Sequence, residues 1–132
     1  MKCILIVDDD PMFREVVRMR LSAAGYQTLA AAGADAGWEL AKAHRPDVIL
    51  LDLVMPEVDG VTFLRRLRSD PALASTPVVV VSGLSYMALT KAAEQLGVQS
   101  QLIKSRFTLG ELVQKVTSLL PARDAVAMPA AS

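Results

Sequence analysis

The 132-residue sequence contains one cysteine, Cys3, so no disulfide can form within the chain. Because Cys3 lies in an apolar run, we predict a buried thiol and a reducing compartment, the cytoplasm. Fourteen Lys and Arg balance fourteen Asp and Glu, which leaves no excess charge for binding nucleic acid or an anionic membrane. No apolar run approaches the ~20 residues that a membrane-spanning helix needs. Disulfide scaffolds, membrane spans and electrostatic nucleic-acid binders are therefore disfavoured.

Three runs of consecutive apolar residues are present instead: Cys3–Val7, Val48–Leu51 and Val78–Val81. Apolar residues at consecutive, not alternate, positions are typical of strands buried on both faces. Two weaker strands are predicted at Tyr26–Ala31 and Gln101–Ile103. The sequence thus predicts a sheet with a strongly apolar centre.

Segments with helical spacing separate these strands, at Met12–Ala24, Ala34–His44, Asp59–Arg68, Ser85–Leu96 and Thr108–Leu120. Asp10 before Pro11 is a predicted N-cap, and Thr108 with Glu111 has the spacing of a capping box. Strands that alternate with helices predict a parallel α/β sheet covered on both faces. We predict one domain over residues 1–120 and a flexible tail or linker over 121–132, a segment rich in Ala and Pro.

Polar residues follow four of the predicted strands: Asp8 and Asp9, Asp52, Ser82, and Lys104. The ends of parallel strands share one edge of a sheet, so these side chains should converge there. Three carboxylates repel one another and require a cation, and Mg²⁺ prefers oxygen ligands. Lys104 is the predicted counter-charge of Asp52, and with Ser82 it could contact a phosphoryl oxygen. A carboxylate beside Mg²⁺ can attack phosphorus and form an aspartyl phosphate.

With the segment Asp52-Leu-Val-Met-Pro-Glu-Val-Asp-Gly60, these residues resemble the receiver (response regulator) domain of two-component signalling, of the CheY-like type. The resemblance covers residues 2–120 and implies a flavodoxin-like, doubly wound five-stranded parallel sheet of order 2-1-3-4-5 with five helices. It implies that Asp52 accepts a phosphoryl group from a histidine kinase or histidine phosphotransfer protein, without turnover of an external substrate.

The resemblance also implies the role of each residue at the site. Asp9, Asp52 and the main-chain carbonyl of Val54 would ligate Mg²⁺, and Asp8 would act through a bound water. Ser82 and Lys104 would hold the phosphoryl oxygens.

The chain departs from the family pattern in three places. Lys104-Ser105-Arg106-Phe107 replaces Lys-Pro-Phe, whose lysine precedes a cis peptide. Since a cis bond before a residue other than proline costs ~3 kcal/mol, the loop is either strained or runs differently. Gln101 stands where the family has an aromatic switch residue, and Ser82 replaces the commoner Thr. We therefore expect intact chemistry at the site and an altered output mechanism.

Two partner surfaces are candidates. Met12, Val16 and Met19 lie at i, i+4 and i+7 on the first helix, where they either widen the core face or form a kinase-docking strip. The face formed by the fourth helix, fifth strand and fifth helix could bind an output protein or a second copy of the chain. Its candidate residues are Lys91, Gln95, Gln101 and Arg106.

Several positions have a second interpretation. The acids after the first strand could be helix caps, but only Asp10 is assigned that role. Trp38 is predicted to pack in the core, His44 to lie on the surface, and three arginines of the third helix to form a solvated face: Arg65, Arg66 and Arg68.

Two other functions were considered for the whole chain. An unphosphorylated interaction module with the same fold is the alternative that we keep. An aspartyl hydrolase of the haloacid-dehalogenase type is disfavoured, because such enzymes have Asp-x-Asp after the first strand, whereas Asp8 and Asp9 are adjacent.

Overall fold

The computed structural model describes residues 2–55, 59–82 and 87–120. Strands and helices alternate along these ranges, and a 3₁₀ turn over Lys104–Arg106 precedes the last helix. The strands are β1 (Cys3–Val7), β2 (Gln27–Ala31), β3 (Val48–Leu51), β4 (Val78–Ser82) and β5 (Ser100–Ile103). The helices are α1 (Pro11–Ala23), α2 (Ala34–His44), α3 (Gly60–Ser69), α4 (Met87–Gln95) and α5 (Leu109–Ser118). The predicted boundaries agree to within two residues wherever both ends of an element are described, and the predicted tail over 121–132 lies outside the described residues.

All five strands are parallel, and their order is β2-β1-β3-β4-β5. This confirms the predicted flavodoxin-like fold. The three strands at the centre of the sheet, β1, β3 and β4, are buried along their whole length, as their consecutive apolar residues predicted. The edge strands β2 and β5 are only partly buried.

Apolar layers cover both faces of the sheet. One layer joins alternate strand residues such as Leu5 and Ile49 to side chains of α2 and α3, including Trp38 and Phe63. The other layer joins the intervening strand residues, such as Ile4, Ile6 and Leu50, to buried side chains of α1 and α5. These helix residues are Val17, Leu21, Leu112 and Val116. Because helices cover both faces, the carboxyl ends of the strands remain as an edge at which polar residues can gather.

Among the described residues, side chains cap three helices, with Asp10 at α1, Asp59 at α3 and Thr108 at α5. The Asp10 carboxylate accepts hydrogen bonds from the amides of Met12 and Phe13, at 3.1 and 3.2 Å, as predicted. Thr108 and Glu111 form the predicted capping box, with bonds of 3.1 and 2.7 Å. Ser85, at which the fourth helix was predicted to begin, lies outside the described residues. No described helix is long and apolar enough to cross a membrane.

The prediction of a solvated arginine face is wrong for Arg68. Arg65 and Arg66 are exposed, and the Arg66 guanidinium stacks 4.5 Å from the ring centre of the buried Trp38. The half-buried Arg68 guanidinium instead donates hydrogen bonds of 2.7–3.1 Å to four carbonyls, those of Ala74, Thr76, Leu96 and Gly97. Its planar set of donors therefore ties α3 to the chain that follows α3 and α4.

Candidate functional site

Main-chain hydrogen bonds set the positions of two carboxylates at the carboxyl edge of the sheet. The amide of Asp8, directly after β1, donates to the carbonyl of Ala31 at 3.1 Å. The amide of Asp52, directly after β3, donates to the carbonyl of Val7 at 2.9 Å. Both residues therefore continue the parallel ladder by one step, and their side chains lie at the same edge.

The structure brings Asp8, Asp9 and Asp52 together. One carboxylate oxygen from each lies within 4.8 Å of the others. Asp8 and Asp52 are only 2% and 5% exposed, whereas Asp9 is exposed. Two buried carboxylates and one at the surface thus form an acidic cluster, which we call the acidic pocket, with Asp9 exposed to solvent.

Short-range hydrogen bonds orient the buried carboxylates. Oδ1 of Asp8 accepts from the amide of Asp10 at 2.9 Å, and Oδ1 of Asp52 accepts from the amide of Val54 at 3.1 Å. The main-chain carbonyl of Asp8 also accepts from Nη1 of Arg14 at 2.8 Å. One oxygen of each carboxylate is therefore anchored by the chain that follows it.

Lys104 reaches the acidic pocket but pairs with a different residue from the one predicted. Its Nζ lies 2.8 Å from Oδ2 of Asp8, not in an ion pair with Asp52. The side chain of Lys104 is 19% exposed, and no peptide bond in the described ranges is cis. The loop therefore runs differently from the family pattern, as a 3₁₀ turn that begins at Lys104.

Burial dominates the electrostatics of the pocket. The pKa of Asp52 is raised to about 6, mainly by desolvation and also by the charges of Asp8 and Asp9, although the Val54 amide and Lys104 lower it. Desolvation also raises the pKa of Asp8, although its bonds to Lys104 and the Asp10 amide oppose that shift. One ammonium does not compensate three carboxylates, so the pocket favours a further cation.

Ser82 is the last residue of β4 and is 4% exposed. In the parallel ladder it is the partner of Ile103, which immediately precedes Lys104. The register therefore places Ser82 and Lys104 at the same edge as the acidic pocket.

The start of α3 presses against the chain at Asp52. A Cβ built on Gly60 would lie 2.3 Å from the main-chain oxygen of Asp52 and 2.7 Å from Cα of Leu53. The Gly60 amide donates to the carbonyl of Leu53 at 2.9 Å, which fixes this close approach. Position 60 therefore requires glycine, because there is no room for a larger side chain. No pattern in the sequence indicated this role.

We expect Gly60→Ala to lower the free energy of unfolding by roughly 1–3 kcal/mol, because the added methyl group forces α3 away from the Asp52 segment. Urea unfolding of the two proteins measures the difference. Gly33→Ala is the matched control, since a Cβ at Gly33 meets nothing within 4 Å. Equal stability of the Gly60 and Gly33 variants would contradict the expectation.

The predicted partner residues have different surroundings. Met12, Val16 and Met19 are 76%, 44% and 59% exposed, so the idea that they widen the core is wrong. Val16 and Met19 line a groove of about 330 Å³ with Arg20, Ala23 and Leu109.

On α4 and in the turn after β5, Lys91, Gln95 and Arg106 are exposed, as a partner surface requires. Gln101 is half-buried and turned inward, with its Nε2 donating to the carbonyl of Thr90 on α4 at 3.0 Å. Its buried Oε1 has no hydrogen-bond partner within the described part of the chain. Gln101 thus connects β5 to α4 and is not a simple surface residue.

Residues 4–117 match the family model of the response regulator receiver domain. The chain belongs to this family. Receiver domains are signalling modules and not enzymes that turn over an external substrate, and they bind Mg²⁺ at an acidic pocket. Response regulators of this family interact with histidine kinases and output domains.

Named relatives agree with this assignment. The chain is 36% identical over 123 residues to the DNA-binding dual master transcriptional regulator RpaA of Synechocystis sp., covering 93% of this chain and 51% of that protein. It thus spans about half the length of that relative, and the same holds for other curated transcriptional regulators.

Among solved structures, the Vibrio cholerae chemotaxis protein CheY4 has a TM-score of 0.83 and 27% identity, covering 91% of this chain and 99% of CheY4. The Mn²⁺-bound form of response regulator Rcp1 has a TM-score of 0.79 and 28% identity, covering 92% of this chain and 100% of Rcp1.

Proposed function

We propose that this receiver domain accepts a phosphoryl group on Asp52 from the phosphohistidine of a histidine kinase or histidine phosphotransfer protein. The observation that carries the proposal is the buried carboxylate of Asp52, held within 4.8 Å of Asp8 and Asp9 at a pocket that Lys104 enters. The receiver domain would then signal through protein contacts, without turnover of an external substrate.

The residues of the pocket fit a divalent metal ion. Three carboxylates with one ammonium leave negative charge that is costly to bury, and the oxygen ligands suit Mg²⁺. Asp9, Asp52 and the Val54 carbonyl would hold the ion, with Asp8 acting through a water. The similar structure of Rcp1 is a Mn²⁺-bound form, which supports a divalent site in this chain. When bound, Mg²⁺ neutralises the carboxylates and withdraws charge from the phosphoryl group.

The protein groups would act on the transferred phosphoryl group as follows. An oxygen of Asp52 attacks phosphorus, the new O–P bond forms, and the N–P bond of the phosphohistidine breaks, which releases imidazole. Lys104 would release Asp8 and neutralise a phosphoryl oxygen, and the Ser82 hydroxyl would donate to another. Positioning and charge neutralisation account for most of the catalysis in such transfers.

Intact mass spectrometry tests the proposal directly. The protein is incubated with a small-molecule phosphodonor, once with Mg²⁺ and once with a chelator. We expect the gain of one phosphoryl group with Mg²⁺ only. No gain under either condition, with Mg²⁺ binding also absent in calorimetry, would overturn the proposal.

A second candidate function is an interaction module that works without phosphorylation. The hydrogen bond from Gln101 to the Thr90 carbonyl favours it, because that bond holds α4 against β5 where the family has a mobile aromatic residue. Under this alternative, partner binding to the surface of Lys91, Gln95, Gln101 and Arg106 would have the same affinity in wild type and Asp52→Asn. Under our first proposal, the phosphodonor changes the affinity of the wild type only.

We expect the aspartyl phosphate to be long-lived. Val54, two residues after Asp52, is 40% exposed and apolar, so it cannot orient an attacking water. Leu84, two residues after Ser82, is also apolar in the sequence and lies outside the described residues. Val54→Asn combined with Leu84→Glu should shorten the lifetime by on the order of tenfold, since polar groups can position the water. Loss of the phosphoryl group followed by mass spectrometry measures the lifetime; equal lifetimes would rule the idea out.

The exposed Met12, Val16 and Met19 support a docking role for α1 beside the acidic pocket, where a kinase would bind. The exposed residues of α4 and of the loop after β5 remain candidates for an output protein or a homodimer contact. The receiver domain would comprise residues 1–120, followed by the tail or linker over 121–132. Binding of nucleic acid or a membrane is not expected from the balanced charge, and the cytoplasm remains the predicted compartment.

A further inference from the structure

The Lys104 ammonium has an aromatic neighbour as well as a carboxylate. Its Nζ lies 4.3 Å from the ring centre of Phe13, within the range of a cation–π contact. We propose that Phe13 is a positioning residue for Lys104, which keeps the ammonium at the acidic pocket when a phosphoryl group arrives. This inference rests on the proposed function of Asp52.

The ring of Phe13 is itself held in place from two sides. The main-chain amide of Phe13 donates to the Asp10 carboxylate at 3.2 Å, so the N-cap of α1 fixes the start of the helix that carries the ring. The partly buried ring also packs against the apolar layer between the sheet and the α1 and α5 helices. Phe13 therefore presents a fixed aromatic surface to the flexible side chain of Lys104.

The two contacts of the ammonium respond differently to charge. The pair with Asp8, at 2.8 Å, depends on a carboxylate that a bound cation would also attract. The Phe13 ring has no charge to neutralise, so its attraction for Lys104 persists when the pocket is filled. As Lys104 exchanges Asp8 for a phosphoryl oxygen, the ring limits its four side-chain torsions to conformations that remain in the pocket.

The loop after β5 makes such support useful in this chain. Lys104 begins a 3₁₀ turn and is followed by Ser105, a residue that does not restrict the backbone as a proline does. The contact of Phe13 on α1 with the Lys104 ammonium can therefore take the place of the backbone restriction that a proline after Lys104 would supply. If Phe13 had a purely structural role, through its apolar packing alone, its substitution would leave the position of the Lys104 ammonium unchanged.

NMR of the full chain labelled with ¹³C-lysine tests the contact without any phosphoryl chemistry. The ring current of an aromatic side chain shifts protons above the ring upfield, and this applies to the ε-methylene protons of a lysine whose ammonium lies over the ring. The variant Lys104→Met identifies the Lys104 signal by its loss. We expect an upfield shift in wild type and in Phe13→Tyr, which keeps the ring, and its loss in Phe13→Leu. A Lys104 signal that is identical in wild type and Phe13→Leu would overturn the proposal.

Phosphorylation kinetics test the consequence of the contact. With a small phosphodonor and saturating Mg²⁺, we expect Phe13→Leu to lower the maximal rate about two- to fivefold, with little change in the donor concentration at half-maximal rate. Phe13→Tyr should keep the wild-type rate. Tyr26→Leu is the matched control. Tyr26 packs against the same apolar layer but directly precedes β2, at the amino-terminal ends of the strands and away from the acidic pocket.

The outcomes separate the two proposals. Equal loss of rate in Phe13→Leu and Tyr26→Leu would show a general packing effect and overturn the positioning role. If the wild type accepts no phosphoryl group at all, the proposed function fails and the positioning role in that reaction fails with it. The ring contact itself is then decided by the Lys104 signal alone.

Discussion

Replacing Asp52 by Asn is expected to abolish phosphoryl acceptance and to raise the free energy of unfolding of the metal-free protein at pH 7 by about 2–3 kcal/mol. The amide keeps the shape of the side chain but has no nucleophilic oxygen. It also removes one of three neighbouring negative charges, and Asp52 is 5% exposed, so its charge is costly in the folded state. A variant that is inactive and yet more stable would identify Asp52 as a residue retained for chemistry.

The pH dependence of stability follows from the raised pKa of Asp52, about 6 in the folded protein against an ordinary value of 3.8. Below about pH 4 the group is protonated in both states and has no cost. Between pH 4 and 6 the folded state binds more protons than the unfolded state, so stability falls as the pH rises. Above about pH 6 the full cost is present.

Urea unfolding in the presence of a chelator, at pH values from 4.5 to 7.5, measures this term as the difference between wild type and Asp52→Asn. The raised pKa of Asp8 acts in the same direction in both proteins, so the comparison removes most of its effect. Asp35→Asn is the control, because Asp35 is an exposed acid on α2. A difference between wild type and Asp52→Asn that does not change with pH would contradict the expectation.

Lys104→Met is expected to lower the free energy of unfolding by about 2–3 kcal/mol in chelator, because it leaves the buried charge of Asp8 unpaired. The Asp8 side chain is 3% exposed and lies 2.8 Å from the ammonium that the substitution removes. Mg²⁺ should restore much of the loss, since a cation that binds the folded state compensates the same carboxylates. Urea unfolding with and without Mg²⁺ measures both effects.

Two further variants make the test specific to this pair. Lys115→Met removes an exposed lysine of α5 and should change stability by less than about 0.5 kcal/mol. Asp8→Asn combined with Lys104→Met should be more stable than Lys104→Met alone, because no buried charge is then left without its partner. Additive effects of the two substitutions, judged with Asp8→Asn as the second single variant, would contradict the pairing.

The main elements of the fold could be predicted because each is encoded locally. Cys3–Val7 was predicted from consecutive apolar residues and Ala34–His44 from helical spacing, and both match the structure. The convergence of Asp8, Asp9 and Asp52 followed from a topological rule, since parallel strands end at one edge.

The partners of long side chains could not be predicted in the same way. The Arg68 guanidinium donates to the carbonyl of Leu96, which lies 28 residues later in the sequence. The spacing of residues within α3 does not indicate which distant carbonyl comes close to Arg68. The Lys104 side chain is long enough to reach several acids, and in the structure it contacts Asp8 and Phe13. Gln101 was placed on a partner surface because it stands at the position of the family's aromatic switch residue, but its amide donates to a carbonyl on α4.

The contrast between the central and edge strands affects how the protein folds and how it should be handled. β1, β3 and β4 are apolar on both faces, and only the finished helices cover them. Gln27, Thr28 and Ser100 put polar side chains on the edge strands β2 and β5, which discourages association of folded molecules through their sheet edges. A partly unfolded chain has no such protection, and its exposed valine and isoleucine segments favour aggregation. Comparisons of stability for this protein therefore belong in urea at low concentration, where unfolded chains stay dispersed and can refold.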